Sequence, residues 1–450
     1  MFEKLMELKV PIYIILPLVI VFLLITVMFG WAVYDNLKNP SGKSAFGDAV
    51  VSIASFPSQL KKLKSELYGK HPLTANDRFK AQKSGLTYFT KNKDNGYLLL
   101  SIYDGEVQQS VVKLIRLSDG RLLHQWTPDF DAIRSRSPSD NKLQNATLME
   151  KKRARVLHPY LMEDGGLIFR NQVLVRIGAC SKTKWVRSDL SYHHSIERGL
   201  DGNFWIPSVI VPSSFSEKRF PEYRDDAITK VSPNGAVLYT KSVAKILQEN
   251  GYEWLIWGLG PYESDPIHLN DIQPALSSGK HWQTGDLMLS LRNRSTVLLF
   301  RPSTNKVIWL KTGPWSNQHD PDFISDTQIS VFGNDIVRYS GGMKPGIRLM
   351  NSHNEVYVLD LGTSKITTPF SFIFKKYNIR TKTQGLSEIT SDGSIFVEET
   401  NFGRIVKASG DILHWSYHEK IGDNRVAGTG WSRYLTADEV NSILPKLRCN

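Results

Sequence analysis

The stretch SNQHDPDF, residues 316–323, sets the imidazole of His319 between an amide and a carboxylate, and His158, His193, His194 and His268 open similar β-rich runs elsewhere in the chain. A neutral imidazole is both a nucleophile and a proton carrier near pH 7. Several imidazoles brought together make either a metal cluster or a metal-free anion site. The neighbours favour the anion. Arg292, in LMLSLRN, offers a planar donor fork that matches sulfate or phosphate oxygens, and its charge would repel a metal cation. Asn270 stands two residues beyond His268, which on a regular strand gives it the same facing and adds an amide donor. Trp254, Trp257 and Tyr262, in GYEWLIWGLGPYESDP, are candidates to wall an aryl-binding pocket, with packing between sheets as the alternative role.

The elements that must position these residues are found in a repeat marked by its turns. VVKLIRLSDGRLLHQW follows NGYLLLSIY, and the same order of a strand pair and then a hairpin returns five more times, for instance HHSIERGLDGNFWIPS before AITKVSPNGAVLYTKS. Six such units argue for an all-β fold, a six-bladed β-propeller, because a β-sandwich would not repeat one order six times. Aligned on the turns, His158, His194, His268, His319 and Gln384 fall at the start of each unit's first strand. In a propeller that strand lines the central channel, so these residues are expected to converge at one mouth. Of the adjacent pair His193 and His194, strand alternation favours His194 as the inward one.

Residues 10–33 carry no charge, and 24 residues in a helix span roughly 30 Å, enough for the hydrocarbon core of a bilayer. A transmembrane anchor is expected there; the run is longer than the apolar core of a cleaved signal peptide and no A-x-A site closes it. The domains expected are a cytoplasmic 1–9, the span 10–33, a juxtamembrane helical linker 34–84 with a basic amphipathic stretch at 56–72, the propeller 85–430, and a C-terminal helix and tail 431–450. The formal net charge of +12 favours anionic partners. No zinc-finger spacing, RNP-like run or sustained basic helix points to nucleic acid. Only Cys180 and Cys449 are present, which excludes a cysteine metal site and leaves one bridge or two free thiols.

DPIHLN at 265–270, followed by GDLMLSLR, then QH at 318–319 and HH at 193–194, resembles the bacterial arylsulfotransferases that work without a nucleotide sulfate donor. The resemblance covers most of residues 85–430. It implies a periplasmic six-bladed propeller enzyme needing no cofactor or metal, with an aryl sulfate donor and a phenolic acceptor as partners. It implies His319 as the nucleophile that carries the sulfuryl group as a sulfohistidine in a ping-pong cycle. His268, Asn270 and Arg292 match residues that hold the sulfuryl oxygens, and His194 matches the remaining channel histidine. His158 and His193 are expected to line the substrate site. The rival functions are a membrane-anchored propeller that binds an anionic ligand or a protein without chemistry, and a metal-dependent propeller hydrolase.

Overall fold

The computed structural model describes residues 11–38, 45–68 (side chains to 60), 73–137, 150–215, 222–258, 260, 262–339 and 346–449. The expected segment 1–9 lies outside them. The chain divides into two compact units, 1–71 and 72–450.

The first unit holds two helices. Ile12–Lys38 is long and apolar enough to cross a membrane, and the same composition suits a signal sequence. The second helix, Ala45–Tyr68, starts earlier than the expected amphipathic stretch, and the Asn36 side chain donates to Asp48 Oδ1 at 3.3 Å between the two.

The second unit contains six four-stranded antiparallel sheets, one of them extended by a fifth strand and another with a divided inner strand. Five blades follow each other along the chain and begin with inner strands at Leu157–Leu161, Ser191–Tyr192 with Glu197–Arg198, Leu269–Pro274, His319–Phe323 and Leu386–Ile389. The remaining blade, called the first here, departs from expectation. Tyr97–Asp104 is its second strand, and its inner strand is Arg433–Leu435, supplied from beyond the expected domain end at 430. At the other end of the chain, Gly85–Tyr88 adds an outer strand to the sixth blade, and Thr74–Asn76, expected in the linker, pairs with Arg425–Ala427. The ring is therefore closed from both ends, which a repeat search cannot detect because neither strand belongs to a complete unit.

Central strands such as Leu167–Asn171 and Leu287–Leu291 are buried throughout. The reason is geometric: each blade packs both faces on neighbours, so alternation of apolar and polar residues is not required. Leu289, Leu291 and Leu298 of the fourth blade meet Trp205 and Ile228 of the third in one such core. A disulfide joins Cys180, in the outer turn of the second blade, to Cys449, with Cα atoms 5.5 Å apart.

Candidate active site

The inner strands open on a shared backbone device. His158, His194, His268, Gln384 and Trp431 all have positive φ, between +47° and +61°. Non-glycine residues adopt that region rarely, with histidine, asparagine and aspartate enriched, so five at equivalent blade positions mark a built feature. The fifth blade differs. His319 pairs with Phe332, the ladder shifts before Pro321, and positive φ belongs to Asn317 (+53°) and Asp320 (+50°). His319 therefore lies between two positive-φ residues and is not one itself, because alternation in sequence does not reveal a bulge.

The rings nonetheless gather. His194 lies 5.1 Å from His268, 6.0 Å from His319 and 5.2 Å from His193, centroid to centroid. Trp431 touches His158 at 5.2 Å, His194 at 6.0 Å and His319 at 5.9 Å. This tryptophan holds the first blade's equivalent of the histidine position and was not legible, since its strand follows the last recognisable unit. Its indole N–H is buried without a partner among the described residues.

Hydrogen bonds assign each imidazole a different part. His319 is 1% exposed, and its Nδ1 lies 2.5 Å from Asn334 Oδ1. The Asn334 amide group donates to the carbonyls of Thr381 and Gln384, at 3.3 and 2.8 Å, so its oxygen must face the ring. Nδ1 is then the protonated nitrogen and Nε2 keeps its lone pair. Burial, followed by the Arg292 charge, holds the His319 ring well below its ordinary pKa and hence neutral. His268 Nδ1 lies 2.5 Å from Asp265 Oδ2. Burial alone would raise the Asp265 carboxyl, but the bond and charge of His268 and the charge of Arg224 outweigh it and keep Asp265 ionised.

His193 and His194 share a 2.9 Å contact between their Nδ1 atoms, and His193 Nε2 lies 3.2 Å from Asp226 Oδ1. His194 is thus the ring among the other histidines, and His193 buttresses it from the Asp226 side. Burial pushes His193 down to about 4 and His194 well below the usual range. His158 is committed elsewhere: its Nδ1 accepts from the Ile196 backbone N–H at 3.0 Å, and its Nε2 lies 3.4 Å from Glu197.

Arg292 is 7% exposed, and its backbone N–H donates to the His268 carbonyl, which ties the two residues together. Burial and the neighbouring Arg338 push its guanidinium down to about 10, still cationic at neutral pH. A second buried guanidinium, Arg170, holds the His194 carbonyl at 2.6 Å. Asn270 occupies the bulge between Leu269 and Asp271, so alternation fails there too: its amide N–H donates to the Gln318 carbonyl at 2.7 Å, and its Oδ1 is buried without a partner.

The three aromatic candidates stand apart from the imidazoles. Trp257 stacks on Phe215 and Tyr262 at 5.9 Å each and meets Tyr223 at 6.0 Å. Tyr262 and Trp254 are 42% and 49% exposed. Tyr223 adjoins Arg224 in the chain, and Arg224 contacts Asp226 at 3.2 Å and Asp265 at 3.5 Å. Asp265 and Asn334 were missed as partners. A signal existed for each: Asp265 stands three residues before His268, and Asn334 ends VFGN where Asn293 ends SLRN.

Solved structures with a similar fold include a protein of unknown function from Bacteroides caccae, 11% identical, covering 76% of this chain and 99% of that one with a TM-score of 0.45. A catalytically inactive virginiamycin B lyase from Staphylococcus aureus with quinupristin is 11% identical over 78% of this chain and 98% of that one, with a TM-score of 0.38. At these scores neither bears on activity. No curated protein matches the chain. The family model described as arylsulfotransferase (ASST) matches residues 164–415, more than half of the chain and the stretch that carries His193, His194, His268, Asn270, Arg292 and His319. The six-bladed protein with this histidine cluster belongs to the arylsulfotransferase family.

Proposed function

We propose that the propeller moves a sulfuryl group from a phenolic sulfate ester to a phenolic acceptor through a covalent adduct on His319. One observation carries the reading: Asn334 commits His319 Nδ1 to a hydrogen bond and leaves the Nε2 lone pair of a neutral ring available beside His194, His268 and Arg292. In the first half-reaction Nε2 forms a bond to sulfur and the sulfur–aryl oxygen bond breaks. Arg292 stabilises charge on the sulfuryl oxygens. His268, with Asp265 fixed at Nδ1, gives the Nε2 proton of its cationic form to the departing phenolate. In the second half-reaction the acceptor phenol returns that proton to His268, its oxygen bonds to sulfur, and the nitrogen–sulfur bond breaks. Protons balance over the cycle, and His268 holds the deficit between the two halves.

Mass spectrometry of protein quenched with donor and no acceptor tests this. A sulfuryl group on the peptide containing His319 is expected; an adduct on another histidine overturns the assignment.

The same reading places the propeller outside the cytoplasm, held to the membrane by Ile12–Lys38. The Cys180–Cys449 bridge supports it, because structural disulfides persist in oxidising compartments. Protection of the propeller from protease added to cells whose outer membrane has been permeabilised would refute it.

A further inference from the structure

The channel has a second end with the opposite chemistry. The inner strands run from the histidine positions toward it, and there they present Glu197, Asp271, Asp320, Asp322 and Glu388. Asp320 and Asp322, two apart on one strand, both line a cavity of about 700 Å³, as do Glu197, Glu388 and Gln273. Asp271 is two residues before Gln273 and so faces the same way. It is 1% exposed; its carboxyl is hydrogen-bonded by Ser195 and the Ile272 backbone, and its Oδ1 has no partner among the described residues.

One guanidinium answers these five carboxylates. Arg433 contacts Glu197 at 3.1 Å and is further spent on the carbonyls of Pro159 and Ile196. Asp320 accepts one backbone N–H, from Ser387 at 2.7 Å. Asp271, Asp320, Asp322 and Glu388 form no ion pair with any described residue. Burial, compounded by the neighbouring carboxylates, pushes Asp320 up to about 8 and Glu388 up to about 7. In the free protein these buried carboxyls are held largely neutral, and a bound cation would supply the counter-charge that lets them ionise.

We propose that this carboxylate end of the channel binds an organic di- or polyammonium ion. Two observations select that class over a metal. Among the described residues no three His, Cys, Asp or Glu side chains converge tightly enough to hold a metal ion, so the charges are distributed and not focused on a point. The cavity wall also carries the apolar side chains of Leu276, Phe323, Leu386 and Ile389, against which methylene segments between ammonium heads can lie. A volume of about 700 Å³ is that of a small-molecule site and is far larger than a bare ion.

Spermidine is the probe. Calorimetric titration of the full-length protein in detergent should give saturable binding of one equivalent, together with a rise in melting temperature. Asp322→Asn and Glu388→Gln, which keep side-chain volume, should each weaken binding about 10-fold by removing one charge contact. Magnesium ion at the same concentration should fail to displace spermidine. Absence of saturable spermidine binding to the wild-type protein overturns the proposal. So does unchanged affinity in a folded variant, and so does stoichiometric displacement by magnesium, which would assign a metal site instead. The wild-type titration decides even if a variant melts early.

Discussion

The fourth and fifth blades each bring a histidine Nδ1 to 2.5 Å from a side-chain oxygen, yet the oxygen belongs to a carboxylate, Asp265, in one blade and to an amide, Asn334, in the other. The difference separates two duties that one residue type could otherwise confuse. A carboxylate partner stabilises the imidazolium and suits a ring that carries a proton. An amide partner fixes the tautomer and favours the charge less than a carboxylate does, so burial and Arg292 can keep the ring neutral, which suits attack with its lone pair. On the proposed mechanism, blades of common design acquire different chemistry by exchanging one partner group.

Replacing the rings themselves tests the division most severely. His319→Asn should fold with an unchanged melting temperature and bind donor, while turnover falls by about 10⁴-fold or more and no sulfuryl adduct forms. His268→Asn should cost less, about 10²- to 10³-fold, and its effect should grow as the leaving phenol becomes more basic. Equal losses for every leaving group would show that His268 does not supply the proton.

Exchanging the partners comes next in size. Asn334→Asp gives the nucleophile a carboxylate, which should lower turnover by about 10²-fold. The sign of its pH effect follows from the wild-type ring. On the proposed mechanism His319 must be neutral to attack, so activity should be lost as pH falls through its pKa. Burial and Arg292 hold that pKa well below 6.5, so the wild-type acid limb lies on the acid side of 6.5. A carboxylate at Nδ1 raises the pKa and should move the limb to higher pH. An unmoved kcat/KM profile in a folded Asn334→Asp variant would sink the tautomer assignment. Arg292→Lys keeps a charge but loses the fork, and should lose about 10²-fold in turnover with the fold intact. Normal turnover would make Arg292 structural.

The smallest effect is expected at Trp431, which touches both His194 and His319 but carries no group placed for chemistry. Trp431→Phe should change turnover by only a few-fold, and removal of a buried N–H without a partner should leave stability within about 1 kcal/mol of wild type. A loss as large as that of Arg292→Lys would give this residue a share in the reaction.

The repeat was legible because turns and apolar runs recur in order, and the family pattern was legible because His268, Arg292 and His319 keep their spacing to those turns. The missing parts are those that local sequence does not encode. Asn334 comes from a second strand and Asp265 precedes an inner strand, and their bonds exist only once the sheets are assembled. The bulges at Asn270 and after His319 change which way side chains face without changing the pattern of residue types. His193 and His194 fall in a break between two short strands, where alternation gives no firm facing. Trp257 obeys packing more than ligand recognition, as its stacked neighbours indicate.

The closure of the ring by Arg433–Leu435 has a consequence for manufacture. Synthesis proceeds from the amino end, so this strand leaves the ribosome after five sheets are complete and the first still lacks its inner edge. Until it docks, Trp431 is absent from the imidazole cluster and Glu197 has no guanidinium beside it. A shortened or stalled product would hold most of the blades and none of the finished channel. The imidazole cluster therefore gains its Trp431 wall last, and the Cys180–Cys449 bridge then locks the closing segment in place.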